Sequence, residues 1–128
     1  MRSVRLVQLR EPLQDAIVPV PEIGLTDVLV RVGACGICHS DAHYRAGISP
    51  IAQLPVTPGH EVAGTVETVG RDVGAFRAGD RVCVHYLAHC GACDFCRRGH
   101  EQFRAEVPGH GSHFTDVKQR GYRRFTRV

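Results

Sequence analysis

Residues 28–43 read VLVRVGACGICHSDAH. In the first five, Val28, Val30 and Val32 alternate with Leu29 and Arg31, the two-residue period of a half-buried strand. That strand runs directly into Gly33–His43, which packs two thiols, two imidazoles, a hydroxyl and a carboxylate into eleven residues. Gly33, Ala34 and Gly36 keep the backbone ahead of Cys38 compact and free to turn. A thiolate followed closely by His, Ser, Asp and a second His suggests a metal site with a proton path attached. A surface loop around a buried structural cysteine has the same local composition. Ligands supplied elsewhere in the chain decide between the two.

Working outward, Ser40–Ala46 predicts one or two helical turns, with Ser40 as N-cap and Gly47 as the stop. Residues 48–58 hold Pro50, Pro55 and Pro58 and read as a loop whose apolar side chains (Ile48, Ile51, Leu54, Val56) pack down or line a pocket. His60–Val69 is a second strand, Arg71–Gly79 a turn region and Asp80–Leu87 a third strand. Upstream, Val4, Leu6 and Leu9 suggest an edge strand ending before Glu11-Pro12. Ile17–Pro21, punctuated by two prolines, reads as an extended edge segment. Beyond Leu87 come a cysteine-rich loop and a polar end without periodicity. The expected fold is mainly β, a partly closed barrel with short helices.

Composition agrees with that class. The chain has 128 residues, enough for one domain with a real core, and 43% apolar residues with 14 Gly and 7 Pro favour strands and loops over a helical bundle. No apolar run approaches the ~20 residues of a membrane span, so a soluble protein is expected and a membrane partner is not. The N-terminus, MRSVRLVQLREP, lacks the apolar core of a secretory signal, which predicts a cytoplasmic location. Six cysteines in such a chain point to metal rather than disulfides. The net charge of +3 is unevenly spread: residues 97–128 carry 8 basic and 3 acidic side chains. A basic tail can touch nucleic acid. A short basic run is more often simply solvated, and nucleic acid is not the expected partner.

Two further constellations bear on the opening stretch. Cys90-Gly-Ala-Cys93-Asp-Phe-Cys96 sets three thiols at two-residue spacers, so that successive sulfurs can converge on one zinc at ~2.3 Å. A free-thiol loop or a redox pair is the alternative. His89, His100 and Cys83 are candidates for a fourth ligand. Gly59-His60-Glu61 places an imidazole beside a carboxylate at the start of a strand. Alone this is commonly a surface His–Glu pair; together with Cys38 it favours a catalytic zinc, which needs few protein ligands and one open position. Asp41 can then fix the imidazole from behind.

Taken in order, GICHSDAH, GHEVAGTVETVG, FRAGDRV and CGACDFC resemble the zinc-containing alcohol dehydrogenases of the medium-chain dehydrogenase/reductase family, over residues 1 to about 103. The resemblance implies a GroES-like catalytic domain, a partly open β-barrel with a cysteine-rich zinc loop, usually followed by a Rossmann domain that binds NAD(P). It implies hydride transfer between an alcohol or aldehyde carbon and the nicotinamide. By position, Cys38 and His60 are then ligands of a catalytic zinc and Glu61 its neighbouring carboxylate. Ser40 matches the hydroxyl that takes the alcohol proton, and His43 the imidazole that passes it towards solvent. His39 matches a contact to the cofactor pyrophosphate, and Asp41 the partner of the zinc-bound histidine. Cys90, Cys93 and Cys96 match three ligands of a structural zinc.

The chain departs from that pattern in two places. Arg104 stands where a fourth structural cysteine is expected, and a guanidinium cannot ligate zinc. Residues 104–128 diverge, and no GxGxxG follows a strand, so nothing here cradles a dinucleotide pyrophosphate. The expectation is a single N-terminal domain, residues 1–128, lacking its Rossmann partner and inactive alone, with NAD(P) used only if that domain is supplied. The alternative is a non-catalytic zinc-binding interaction module, as an oligomer or in complex with a full-length relative.

Overall fold

The computed structural model describes residues 1–85 and 93–100, and the backbone of 125–127. Its elements, in chain order, are β1 (Arg2–Arg5), β2 (Gln14–Ile17), β3 (Val28–Gly36), α1 (His39–Ala46), β4 (Glu61–Val69), β5 (Arg81–Val84), α2 (Asp94–Arg97) and β6 (Phe125–Arg127). The mainly β expectation is borne out. Among the described residues the strands form two antiparallel sheets, a β1-β2 pair and a four-stranded β3-β4-β5-β6 sheet, with no closed ring.

The alternating valines form the long strand β3, which runs four residues past the sequence estimate and ends at Gly36. Its partner β4 crosses it antiparallel with two irregularities in register, between Leu29 and Val30 and between Val32 and Ala34. At the second, Val32 faces Gly64 and Ala34 faces Ala63, so Gly33 is an extra residue, a β-bulge that bends the strand and re-aims the residues beyond it. Past the bulge, Cys35 faces Val62 and Gly36 faces Glu61. An exposed Arg31–Glu67 ion pair, 3.1 Å between Nε and Oε2, decorates the same two strands; such solvated pairs contribute little.

Leu6, Val56, Val66 and Val82 are almost completely buried, each such burial contributing about 1.5–3 kcal/mol relative to exposure. Val66 lies on β4 and Val82 on β5. Leu6 and Val56 exchange backbone hydrogen bonds of 2.8 and 3.0 Å, joining the chain just beyond β1 to the proline-rich loop. Two more ties reinforce that junction. Ser3 Oγ lies 2.9 Å from Thr57 Oγ1, and the Arg5 guanidinium donates to the Pro55 carbonyl at 2.8 Å. Val56 therefore packs down, with Ile51 and Leu54 half-buried, as the apolar content predicts, whereas Ile48 stays exposed; the loop is tied in place just before it delivers Gly59-His60-Glu61.

Several boundaries differ from expectation. The first strand ends at Arg5 and its partner is Gln14–Ile17 rather than Ile17–Pro21. The third strand is Arg81–Val84 rather than Asp80–Leu87: His85 is described and lies beyond it, and Leu87 falls outside the described residues. The helix begins at His39, with Cys38 as its N-cap in place of Ser40. The reason is local: Asp41, three residues on, accepts the Cys38 N–H at 2.9 Å, making Cys38 the last extended residue (φ −95°, ψ 156°). Gly47 ends the helix as predicted, in the left-handed region at φ 73°, its N–H bonded to Tyr44 O at 3.0 Å.

Candidate metal centre

Both segments that carry the chemistry leave the same end of the β3–β4 pair. Just beyond the end of β3, Cys38 brings a thiol off one strand; the turn at Gly59 brings His60 and Glu61 onto the start of the other. The result is a cluster in which a Cys38 sulfur, a His60 ring nitrogen and a Glu61 carboxylate oxygen all lie within 4.8 Å of one another. Cys38 and His60 are half-buried and Glu61 is exposed. Donors around a tetrahedral zinc sit about 3.5 Å apart, so modest side-chain rotation closes these three on one cation. A thiolate, an imidazole and a carboxylate form a donor set suited to a borderline ion such as Zn²⁺. The residues present fit zinc.

Asp41 ties the two segments together. One carboxylate oxygen accepts the Cys38 N–H; the other lies 3.7 Å from His60 Nδ1, the side chains being only 14% and 9% exposed. A carboxylate behind a ligating imidazole sets its orientation and raises its basicity. With Nδ1 facing Asp41, Nε2 is the nitrogen to face a metal.

The other predicted residues fall on the two helices. His39, Ser40 and His43 lie on α1, directly after Cys38; His39 is exposed and Ser40 and His43 are half-buried. The His39 and His43 rings meet edge to face, centroids 4.6 Å apart, as i,i+4 spacing allows. Cys93 caps α2 and Cys96 lies within it; neither is in a disulfide. Cys90, the first of that trio, lies outside the described residues, as do His89 and Arg104.

Two participants are not evident from sequence. Cys35, the first thiol of the opening stretch, is exposed. Its sulfur nevertheless lies over Gly59: a β-carbon there would come within 2.6 Å of it. Gly59 adopts φ 111°, which glycine tolerates and other residues rarely do. Gly36, across from Glu61, is the second. Gly36 meets Glu61 through cross-strand register and Cys35 meets Gly59 through the turn that enters β4, and no local spacing reveals either.

A strand-built domain presenting a thiol, an imidazole and a carboxylate at one point, braced by a half-buried aspartate, is a β domain with a candidate cation site. The chain belongs to the alcohol dehydrogenase GroES-like domain family, whose model matches residues 24–124. It is 43% identical over 103 residues to an alcohol dehydrogenase of Geobacillus stearothermophilus, an alignment taking in 79% of this chain and 31% of that enzyme. An NAD-dependent alcohol dehydrogenase of Sulfurisphaera tokodaii is 39% identical over 109 residues, with the same coverage of 79% and 31%. Among solved structures, a cobalt- and zinc-bound thermostable alcohol dehydrogenase from Pyrobaculum aerophilum superposes with a TM-score of 0.79 at 33% identity, covering 91% of this chain and 36% of that one. The chain thus spans about a third of the length of these relatives. Among the described residues, no helix is long and apolar enough to cross a membrane.

Proposed function

We propose that this chain is the zinc-binding catalytic portion of an alcohol dehydrogenase-like oxidoreductase, acting on a small alcohol or aldehyde. The convergence of Cys38, His60 and Glu61 within 4.8 Å carries this reading, and the metal-bound Pyrobaculum relative supports it. Cys38 and His60 would hold the cation, with Glu61 as the neighbouring carboxylate within reach of it. When bound, zinc supplies Lewis acidity that lowers the pKa of an alcohol.

The remaining roles belong to the chain's own side chains. Asp41 orients His60. The Ser40 hydroxyl takes the alcohol proton and His43 passes it towards solvent, a relay their positions three residues apart on one helix permit. His39, exposed beside them, offers a donor to a cofactor phosphate. Cys90, Cys93 and Cys96 hold a second, structural zinc. The hydride acceptor is NAD(P), as the name of the Sulfurisphaera relative suggests. Residues 1–128 contain no GxGxxG, so by themselves they are proposed to bind zinc without turning over alcohol.

Metal analysis of the purified chain tests the first claim. Zinc is expected at the cluster, with the content falling by one equivalent in C38S and in H60A; unchanged zinc in both variants would remove the catalytic site. Adding NAD(P) and a panel of alcohols tests the second, and clear zinc-dependent formation of reduced nicotinamide by this chain would contradict it.

A further inference from the structure

Gly36 stands directly opposite Glu61 where β3 and β4 pair. A β-carbon built on it would collide with Glu61 Oε2, and would also lie 3.0 Å from Glu61 Cβ and 3.2 Å from Cδ. All three of its nearest neighbours thus belong to one side chain. The carboxylate of Glu61 occupies the space that any other residue at position 36 would fill.

The backbone does not require glycine here. Among the described residues the glycines at positive φ are Gly47, Gly59, Gly79 and Gly99, and Gly36 is not one of them. Alanine is therefore compatible with the main chain, and glycine inside a strand is ordinarily a cost in conformational entropy. A residue type that weakens the strand without easing a turn is placed for space. The space is used by one of the three clustered donors.

We infer that Gly36 is a positioning residue for the metal centre: by lacking a side chain, it lets the Glu61 carboxylate fold back over β3 to within reach of Cys38 and His60. The inference rests on the proposed metal site and adds to it. A methyl group at position 36 drives the carboxylate outward, where it is free to move into solvent because Glu61 is exposed. The cluster then keeps its thiol and imidazole but loses its carboxylate. The sheet gains a residue with better strand behaviour than glycine. Metal affinity and fold stability should therefore move in opposite directions.

Cobalt(II) is the probe, bound to the full chain and followed by its sulfur-to-cobalt charge-transfer and d–d absorption, with affinity from chelator competition. Wild type, C38S, G36A, E61A and G36A/E61A are compared, together with thermal unfolding of each apo form. Orienting interactions around metals are worth 10–100-fold in affinity. The expectation is that G36A weakens cobalt binding by a factor in that range and shifts the d–d bands to match E61A. The double variant is no weaker than E61A alone, and the apo G36A protein melts no lower than wild type. If G36A binds cobalt as wild type does, the inference is wrong. It is equally wrong if G36A weakens binding as much on the E61A background as on the native one, since Gly36 would then act on the backbone. Should G36A fail to fold while G36A/E61A folds, the clash with the Glu61 side chain is demonstrated; failure of both variants to fold overturns the inference. Cobalt absorption that C38S leaves intact would instead defeat the metal site itself, and the role of Gly36 with it.

Discussion

Asp41 and His60 face each other across the boundary between α1 and β4, with 3.7 Å between Oδ1 and Nδ1 and both side chains nearly buried. The other oxygen of the same carboxylate holds the Cys38 N–H. One side chain therefore sets the ends of two segments that are 22 residues apart in the chain.

These two tasks separate by substitution. Asparagine at position 41 keeps an acceptor for the Cys38 N–H and loses the charge behind His60. D41N should lower zinc affinity by about 10–100-fold while leaving thermal stability of the apo form nearly unchanged. Alanine loses both, and D41A should in addition destabilise the fold by about 1 kcal/mol, the usual cost of a lost cap. Chelator competition and chemical denaturation measure the two effects independently.

Zinc removal should destabilise the chain without unfolding it. The buried core of Leu6, Val56, Val66 and Val82 includes no member of the metal cluster, so the apo form keeps its sheet. At free zinc 100 times the dissociation constant, the gain is about 2.7 kcal/mol. Unfolding curves with and without a chelator should differ by about that amount, and the part of the difference due to this cluster should vanish in H60A.

The Leu6–Val56 junction makes a different prediction. L6A should cost about 2–5 kcal/mol through the cavity it leaves. Because Leu6 also bonds the loop that carries His60, hydrogen exchange in residues 55–60 should accelerate beyond what the global loss explains. A conservative core change on β5, V82A, should destabilise without that local signature.

On the β1–β2 sheet, Arg2 and Asp15 pair across the strands at 3.1 Å, both well exposed. The hydrogen bond from Arg2, followed by its charge, holds the Asp15 carboxyl below its ordinary range. A lowered folded-state pKa means that the stabilisation is present above the unfolded value of about 3.9 and is lost as pH falls through the folded one. D15N should thus melt slightly lower than wild type near neutrality. The difference should shrink with added salt and disappear in strong acid.

Much of this organisation is legible from residue order, and the parts that are not have a common cause. The valine alternation of residues 28–32 announces β3, the β-branched run of Val62, Thr65, Val66, Thr68 and Val69 announces β4, and Gly47 announces the end of α1. Cys38, His60 and Glu61 are legible because each sits where a strand begins or ends, beside other reactive groups. Ser40 misleads as an N-cap because the hydroxyl suits that role locally, whereas Asp41 reaches back from the third helical position. The neighbours that Gly36 and Cys35 meet in the fold are not legible. Glu61 and Gly59, which they meet, are about 25 residues away; the first contact depends on a bulge and the second on a turn, and hydrophobic period reports neither. The Leu6–Val56 bridge, 50 residues long in sequence, is hidden for the same reason.

The bulge at Gly33 has one more consequence. Side chains alternate faces along a strand, so a single extra residue decides which of Cys35 and Gly36 shares a face with Glu61. Were Gly33 paired opposite Ala63 instead of bulged out, every residue beyond it in β3 would shift by one: Cys35 would face Glu61 and the empty position would turn away. The site is in this sense a parity check on the sheet. A chain that pairs β3 with β4 one step out of phase can still bury valines, but it cannot assemble the three donors, and a bound cation would select the one alignment that counts correctly.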